Sequence, residues 1–232
     1  MRVRPVRLNT AVARLFMVGS ACFVLGSVPA YADAVGGSVD GLTYFVGSIF
    51  FTSASFGQLL QAQTPAMTDA DERTQHDPSL LRFRAWLPHD RAWLAAATQL
   101  PGTVFFNLST AAALAHNLTV EQEDEHVWRP DLFGSTLFLV SSAFAVLALG
   151  QGFWAFRPTS TTWRIAWLNM VGSVLFMASG LASFVLPSTG DLVSNRWAVG
   201  GTLLGAVCFL VGAALMRGAW VQTVGVARRA AT

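Results

Sequence analysis

The stretch Gly172-Ser173-Val174-Leu175-Phe176-Met177-Ala178-Ser179-Gly180 decides how this chain is read. It holds a glycine, a small residue directly after it, a phenylalanine four places on and a second small pair seven places on. Positions i, i+4 and i+7 share one helix face, so the run presents a stripe of small, bulky, small. The pattern occurs five more times: Gly19-Ser20, Phe23, Gly26-Ser27; Gly47-Ser48, Phe51, Ala54-Ser55; Gly102-Thr103, Phe106, Ser109-Thr110; Gly134-Ser135, Phe138, Ser141-Ser142; and Gly205-Ala206, Phe209, Gly212-Ala213. In lipid no hydrophobic force drives helices together, and close approach over small residues takes its place, helped by Ser and Thr hydrogen bonds. A seven-residue spacing suits left-handed crossing near +20°. These glycines and phenylalanines are read as helix-packing residues, the Phe of one helix filling the notch over the Gly of a neighbour.

Each copy lies in an apolar run, at about residues 15–30, 44–60, 93–114, 132–153, 165–186 and 197–216, and none of these runs contains a charge. Most approach the ~20 residues needed to cross a hydrocarbon core. The composition agrees: 53% of residues are hydrophobic and 12% charged, against roughly 25% charged in soluble domains, and the mean hydropathy is +0.48. The expected fold class is therefore all-α, a polytopic membrane protein of six transmembrane helices.

All fifteen basic residues are arginine. Without lysine there is no Schiff base, which excludes retinal and pyridoxal phosphate chemistry, and no P-loop. If the runs alternate, thirteen arginines fall on one side and only Arg129 and Arg196 on the other. The positive-inside rule then places both termini in the cytoplasm of a bacterial inner membrane. A competing reading takes the arginine-rich start, the first apolar run and Pro29-Ala30-Tyr31-Ala32 as a cleaved signal peptide. The first run carries the shared motif, which argues for a retained span.

The runs pair into three hairpins, residues 1–62, 93–156 and 157–217. Trp93, Gln99 and Gly102 have the spacing of Trp163, Asn169 and Gly172, and Met17-Val18-Gly19-Ser20 repeats as Met170-Val171-Gly172-Ser173. Each unit begins and ends inside, so the repeats are parallel, related by an axis along the membrane normal. Such a ring could leave a central crevice, and whether it is filled stays open at this level.

The stretches Trp167 to Phe176, Gly205 to Gly212, Tyr44 to Thr52 and Trp128 to Ser135 resemble the YrhK-like family of small bacterial membrane proteins and its longer multi-hairpin relatives. The likeness is firmest over the last hairpin and looser over the rest of the chain. It implies a multi-hairpin membrane protein and supplies no activity or site residues.

Few residues are placed for chemistry. Cys22 and Cys208 lie alone in apolar runs and read as small core residues. His76, His89, His116 and His126 include no pair within a span, so axial haem ligation is not expected. The outer run Glu121-Gln122-Glu123-Asp124-Glu125-His126 has carboxylates but not the glycine and alternate spacing of a calcium loop, and reads as a solvated turn. Gln99, Asn107 and Asn169 are the candidate polar intramembrane residues, as interhelical glue or as the lining of a polar path. Gln58 and Gln61 close the second run and Gln151 the fourth. Arg129 and Arg196, each beside a tryptophan (Trp128, Trp197), are candidate lipid-headgroup residues, with Asp131 or Asp191 as alternative partners. The loop at residues 63–92 is expected to carry a short interfacial helix before Pro88.

The expected function is non-enzymatic: a structural, accessory or lipid-interacting membrane protein. A channel or transporter with a path between the hairpins is the alternative, and an enzyme working at the outer acidic loop a third. Membrane lipids are the expected partners, a homo-oligomer or membrane-protein partner is left open, and no cofactor, metal or nucleic acid is expected.

Overall fold

The computed structural model describes residues 1–64, 79–115, 117–150, 152–154 and 156–230. Pro5 opens α1 (Pro5–Gly26), where its missing N–H costs nothing. The helix stops because Val28, ahead of Pro29, is extended. A short α2 (Pro29–Val35) follows, and Gly36, at φ +79°, turns the chain by 120° into α3 (Gly37–Gln63). Asp90 caps α4 (Arg91–Ala112), accepting from the N–H groups of Ala92 and Trp93. Thr119 and Gln122 form a capping box on α5 (Val120–Glu123). A π-turn over Asp124–Trp128 carries that helix into α6 (Arg129–Leu147), making 28 continuous residues. Pro130 has no N–H to return a bond, and the wide turn sits immediately before it. Ser160 caps α7 (Thr161–Ala182), and α8 covers Asn195–Ala230.

Apart from a two-residue antiparallel pairing of Arg2–Val3 with Ser79–Leu80 and one isolated bridge, the described fold is all helix. Four helical stretches are long and apolar enough to cross a membrane: α1, α5–α6, α7 and Asn195–Arg217 of α8. The bent pair α2–α3 makes a fifth. The fourth helix falls short because it carries Gln99, Pro101, Asn107 and several hydroxyls, yet Val104 and Leu108 on it are exposed.

Six helices form a closed ring in the order α1, α3, α4, α6, α7, α8, with α8 returning to α1. One end is marked by contacts near the arginines. Leu81 packs with Leu60, Val3 and Leu8; Asn9 Nδ2 donates to the Met216 carbonyl; Arg91 Nη1 donates to the Leu147 carbonyl at 3.0 Å. At the other end the Ser27 and Tyr44 hydroxyls bond at 2.8 Å, and the indole of Trp128 donates to the Gly180 carbonyl. Ring neighbours therefore run antiparallel.

The motif explains the ring. Residues are about 100° apart around a helix, so the glycine at i and the small residue at i+1 look in directions about 100° apart, with the phenylalanine at i+4 between them. In each of the pairs α1–α3, α4–α6 and α7–α8, each motif glycine faces the carbonyl of the other and the other's phenylalanine. A Cβ on Gly134, for instance, would lie 3.1 Å from both the Gly102 oxygen and the Phe106 ring. The i+1 residues Ser20, Ser48, Thr103, Ser135, Ser173 and Ala206 are all essentially fully buried, and several join one pair to the next. Ser135 donates to the Phe176 carbonyl and Ser173 to the Phe138 carbonyl, a reciprocal arrangement between α6 and α7. Ser48 bonds Thr110 across α3–α4 at 3.0 Å. A helix with two such faces takes two neighbours, and its phenylalanine points between them.

The molecule has an aromatic axis, hydroxyl-rich helix contacts and an apolar outer face. Serines fill its contacts, while Leu25, Ile49, Leu108, Val140, Val174 and Leu204 face out. Apolar exposure on this scale belongs to a surface meeting lipid.

Several helix bounds differ from the sequence reading. The first helix starts at Pro5 and ends at Gly26, because Pro29 breaks it. The helix expected to run to residue 153 ends at Leu147, with Gly150 and Gly152 at positive φ beyond it. The expected interfacial helix before Pro88 is absent: among the described residues of that loop the backbone is extended or irregular. Leu80 pairs with Arg2, and the Arg82 N–H donates to Thr64 Oγ1, so backbone groups that a helix would use internally are engaged elsewhere. Arg73, His76, His116 and Gln151 lie outside the described residues.

Candidate functional site

The six motif phenylalanines meet inside the ring. Phe51, Phe138 and Phe209, from α3, α6 and α8, form a closed triangle with ring centroids 5.8–6.3 Å apart. Phe176 of α7 touches both Phe23 of α1 and Phe106 of α4, at 6.0 and 5.8 Å. The two sets join through Phe23–Phe51, Phe106–Phe138 and Phe176–Phe209 at 5.1–5.5 Å. These contacts include helices that are not ring neighbours, such as α3 with α6 and α1 with α7, so the rings occupy the axis. The gap between Phe23, Phe51, Phe106, Phe138 and Phe176 holds no space for a water molecule. Aromatic pairs of this geometry contribute about 0.5–1.5 kcal/mol each beyond area burial.

Against this plug, towards the arginine-rich end, lies a polar cavity of about 20 Å³ lined by Gln58, Gln99 and Asn169 below Phe51 and Phe209. Phe16, Ala213 and Met216 complete its wall. It has room for roughly one water. Gln58 Oε1 is cut off from solvent and has no hydrogen-bond partner among the described residues. Gln99 also accepts from the Ser141 hydroxyl at 3.5 Å. Gly212 leaves room for Asn169, whose Oδ1 lies 3.2 Å from the position a Cβ there would take.

The structure thus brings Gln99 and Asn169 together and leaves Asn107 apart. Asn107 Nδ2 donates to Thr52 Oγ1 at 2.8 Å, joining α4 to α3. The eight-residue spacing put Gln99 and Asn107 roughly on one face, but that drift of about 80° turns one amide to the axis and the other to a neighbour. Gln58 is the axial residue that the sequence reading noted only as closing a span. It lies seven residues after Phe51, on the same helix face.

At the opposite end, Arg129 pairs with Asp124 at 2.9 Å, not with Asp131. Between the two lies a π-turn, which brings position 124 beneath 129. Asp131 lies instead against Gly180 of α7. Trp128 is not a free headgroup anchor, since its indole N–H is spent on the Gly180 carbonyl and its ring packs on Phe184 at 4.8 Å. Trp197 is 58% exposed. Arg196, beside it, makes no ion pair among the described residues. The acidic run is helical, and Asp124 is already engaged. Among the described residues no three His, Cys, Asp or Glu side chains gather as a metal site. His89 and His126 sit at opposite ends of the ring.

The chain matches no family model, no curated protein and no solved structure.

Proposed function

We propose that this chain is a non-enzymatic integral membrane protein with a structural, accessory or lipid-interacting role. In this reading six helices cross a bacterial inner membrane as three parallel hairpins of common construction, similar to the YrhK-like family, with both termini in the cytoplasm and membrane lipids as the main partners. Support for the sixth crossing comes from α4 sharing the ring while exposing Val104 and Leu108. Support for the orientation comes from the arginine distribution.

The observation that carries the functional reading is the filled axis. A channel needs a wettable path, and the gap among the axial phenylalanines Phe23, Phe51, Phe106, Phe138 and Phe176 has no space for a water molecule, which supports a sealed axis. The amides of Gln58, Gln99 and Asn169 line a small cavity on one side of the plug, with room for about one water rather than a continuous path. The test is solute and ion flux through liposomes holding the purified protein. Leakage at the protein-free level is expected, and selective flux through the unaltered protein would reject this reading in favour of the channel.

A further inference from the structure

At the arginine-rich end, the links from α3 to α4 and from α6 to α7 share one spacing. Trp86 lies seven residues before Trp93 and meets it edge-on, with ring centroids 5.4 Å apart. Phe156 lies seven residues before Trp163 and meets it edge-on at 5.2 Å. Trp93 and Trp163 each stand in the first turn of their helix, three residues after its cap, Asp90 or Ser160. This packing holds an aromatic ring of each link beside the start of a helix, at the depth where the apolar stretch begins.

Both links leave aromatic rings uncovered. Trp86 is 80% exposed, Trp154 84% and Phe156 77%, and Phe83 is exposed as well. Side chains of this kind bury about 150–250 Å² when covered, so rings left this open mark a surface that something apolar meets. The first link is fixed from its inner side. Leu81 packs against Leu60 and its N–H donates to the Met1 carbonyl at 3.1 Å, while the Arg82 N–H donates to Thr64 Oγ1. Leu80 and Phe83, on either side of that anchored pair, stay outside. Arginines flank the open rings: Arg82, Arg84 and Arg157 are exposed, and none forms an ion pair among the described residues.

We propose that these two links dock into the headgroup layer of the membrane at this end, as paired aromatic anchors selective for anionic phospholipid. The proposal rests on the membrane reading above and names the lipid-binding surface within it. The rings take the boundary between headgroups and acyl chains, the level at which tryptophan concentrates in membrane proteins. The guanidinium groups beside them reach the phosphates, and an anionic leaflet attracts such basic segments. An irregular link braced from within serves here in place of the amphipathic helix that interfacial anchors often use. The two links occupy different sectors of the ring, so one lipid surface meets both at once. A soluble partner would have to span the end of the ring to do the same.

The test is tryptophan fluorescence of the full chain in vesicles of phosphatidylglycerol or phosphatidylcholine. The emission of Trp86 and of Trp154 is the difference between the unaltered chain and Trp86→Phe or Trp154→Phe, conservative changes at exposed positions. Both emissions should be lost with lipid brominated high on its acyl chains and kept with aqueous acrylamide. Replacing Arg82, Arg84 and Arg157 by glutamine should lower the preference for phosphatidylglycerol over phosphatidylcholine by up to about fivefold per arginine, read by competition between brominated and plain lipid. Quenching by acrylamide with no response to brominated lipid would put both rings in water, open to a soluble partner, and overturn the proposal. A lipid preference unchanged by the three substitutions would overturn its anionic selectivity. A chain that fails to float with the vesicles loses the membrane reading and this proposal together. One that floats while acrylamide quenches Trp86 and Trp154 loses this proposal alone.

Discussion

Replacing Phe138 by alanine tests the axial plug directly. The ring of Phe138 meets Phe106, Phe209 and Phe51 at 5.1, 5.8 and 6.3 Å. Three such pairs amount to about 1.5–4.5 kcal/mol. In a soluble core Phe→Ala costs about 3–5 kcal/mol, part of which is transfer out of water. A membrane protein unfolds into an apolar solvent, so that part shrinks and the cavity and contact parts remain. About 2–4 kcal/mol is expected. For a chain of this size each kcal/mol shifts the midpoint by about 2–4 °C, so melting should fall by about 4–16 °C. The two free cysteines, Cys22 and Cys208, are half-buried, and a thiol-reactive dye reports their exposure on heating. Phe133, 58% exposed on the same helix, is the control, and Phe133→Ala should move the midpoint by no more than about 2 °C. Phe138→Ala alone should not conduct, because a cavity lined by the remaining phenylalanines stays dry. A melting point unchanged by Phe138→Ala, or lowered equally by both substitutions, would refute the axial packing.

Gly134→Ala should lower stability by about 1–3 kcal/mol, since the new Cβ meets the Gly102 carbonyl and Phe106. Gly200→Ala, with nothing within 4 Å of the new atom, should raise it by up to about 1 kcal/mol through helix propensity, and the same dye assay reads both. Ser142 and Ser173 bond at 2.8 Å between α6 and α7. A double-mutant cycle with alanine should give a coupling near 0.6 kcal/mol, and zero coupling would remove the hydroxyl pair as interhelical glue. With Cys22 and Cys208 replaced by alanine, an impermeant maleimide on intact cells should label Ser188→Cys and leave Thr159→Cys unlabelled; the opposite pattern would invert the orientation.

Much of the architecture was legible in residue spacing. A pattern of glycine, small residue and phenylalanine at i, i+1 and i+4 is local information, because helix geometry alone converts it into directions. The long apolar runs, poor in charge, identified membrane-type helices. Helix ends were less legible. Pro29 stops α1, but the continuation of α1 back to Pro5 through Arg7 and Arg14 has no hydrophobic signal. The link at residues 79–87 has the alternation of an amphipathic segment, and its pairing with Arg2–Val3 depends on a contact some eighty residues away.

Sequence by itself determined that these helices pack through small residues, that each presents a phenylalanine at the same register, and that the arginines cluster by segment. Only the tertiary structure decided where those phenylalanines go. Six rings on separate helices meet on the axis only when the ring closes, and closure depends on α8 returning to α1. The same closure turned Gln99 and Asn169 into neighbours of Gln58 and sent Asn107 to Thr52. The Arg129–Asp124 pair depends instead on a local π-turn, whose pitch the 3.6-residue periodicity of the sequence does not predict.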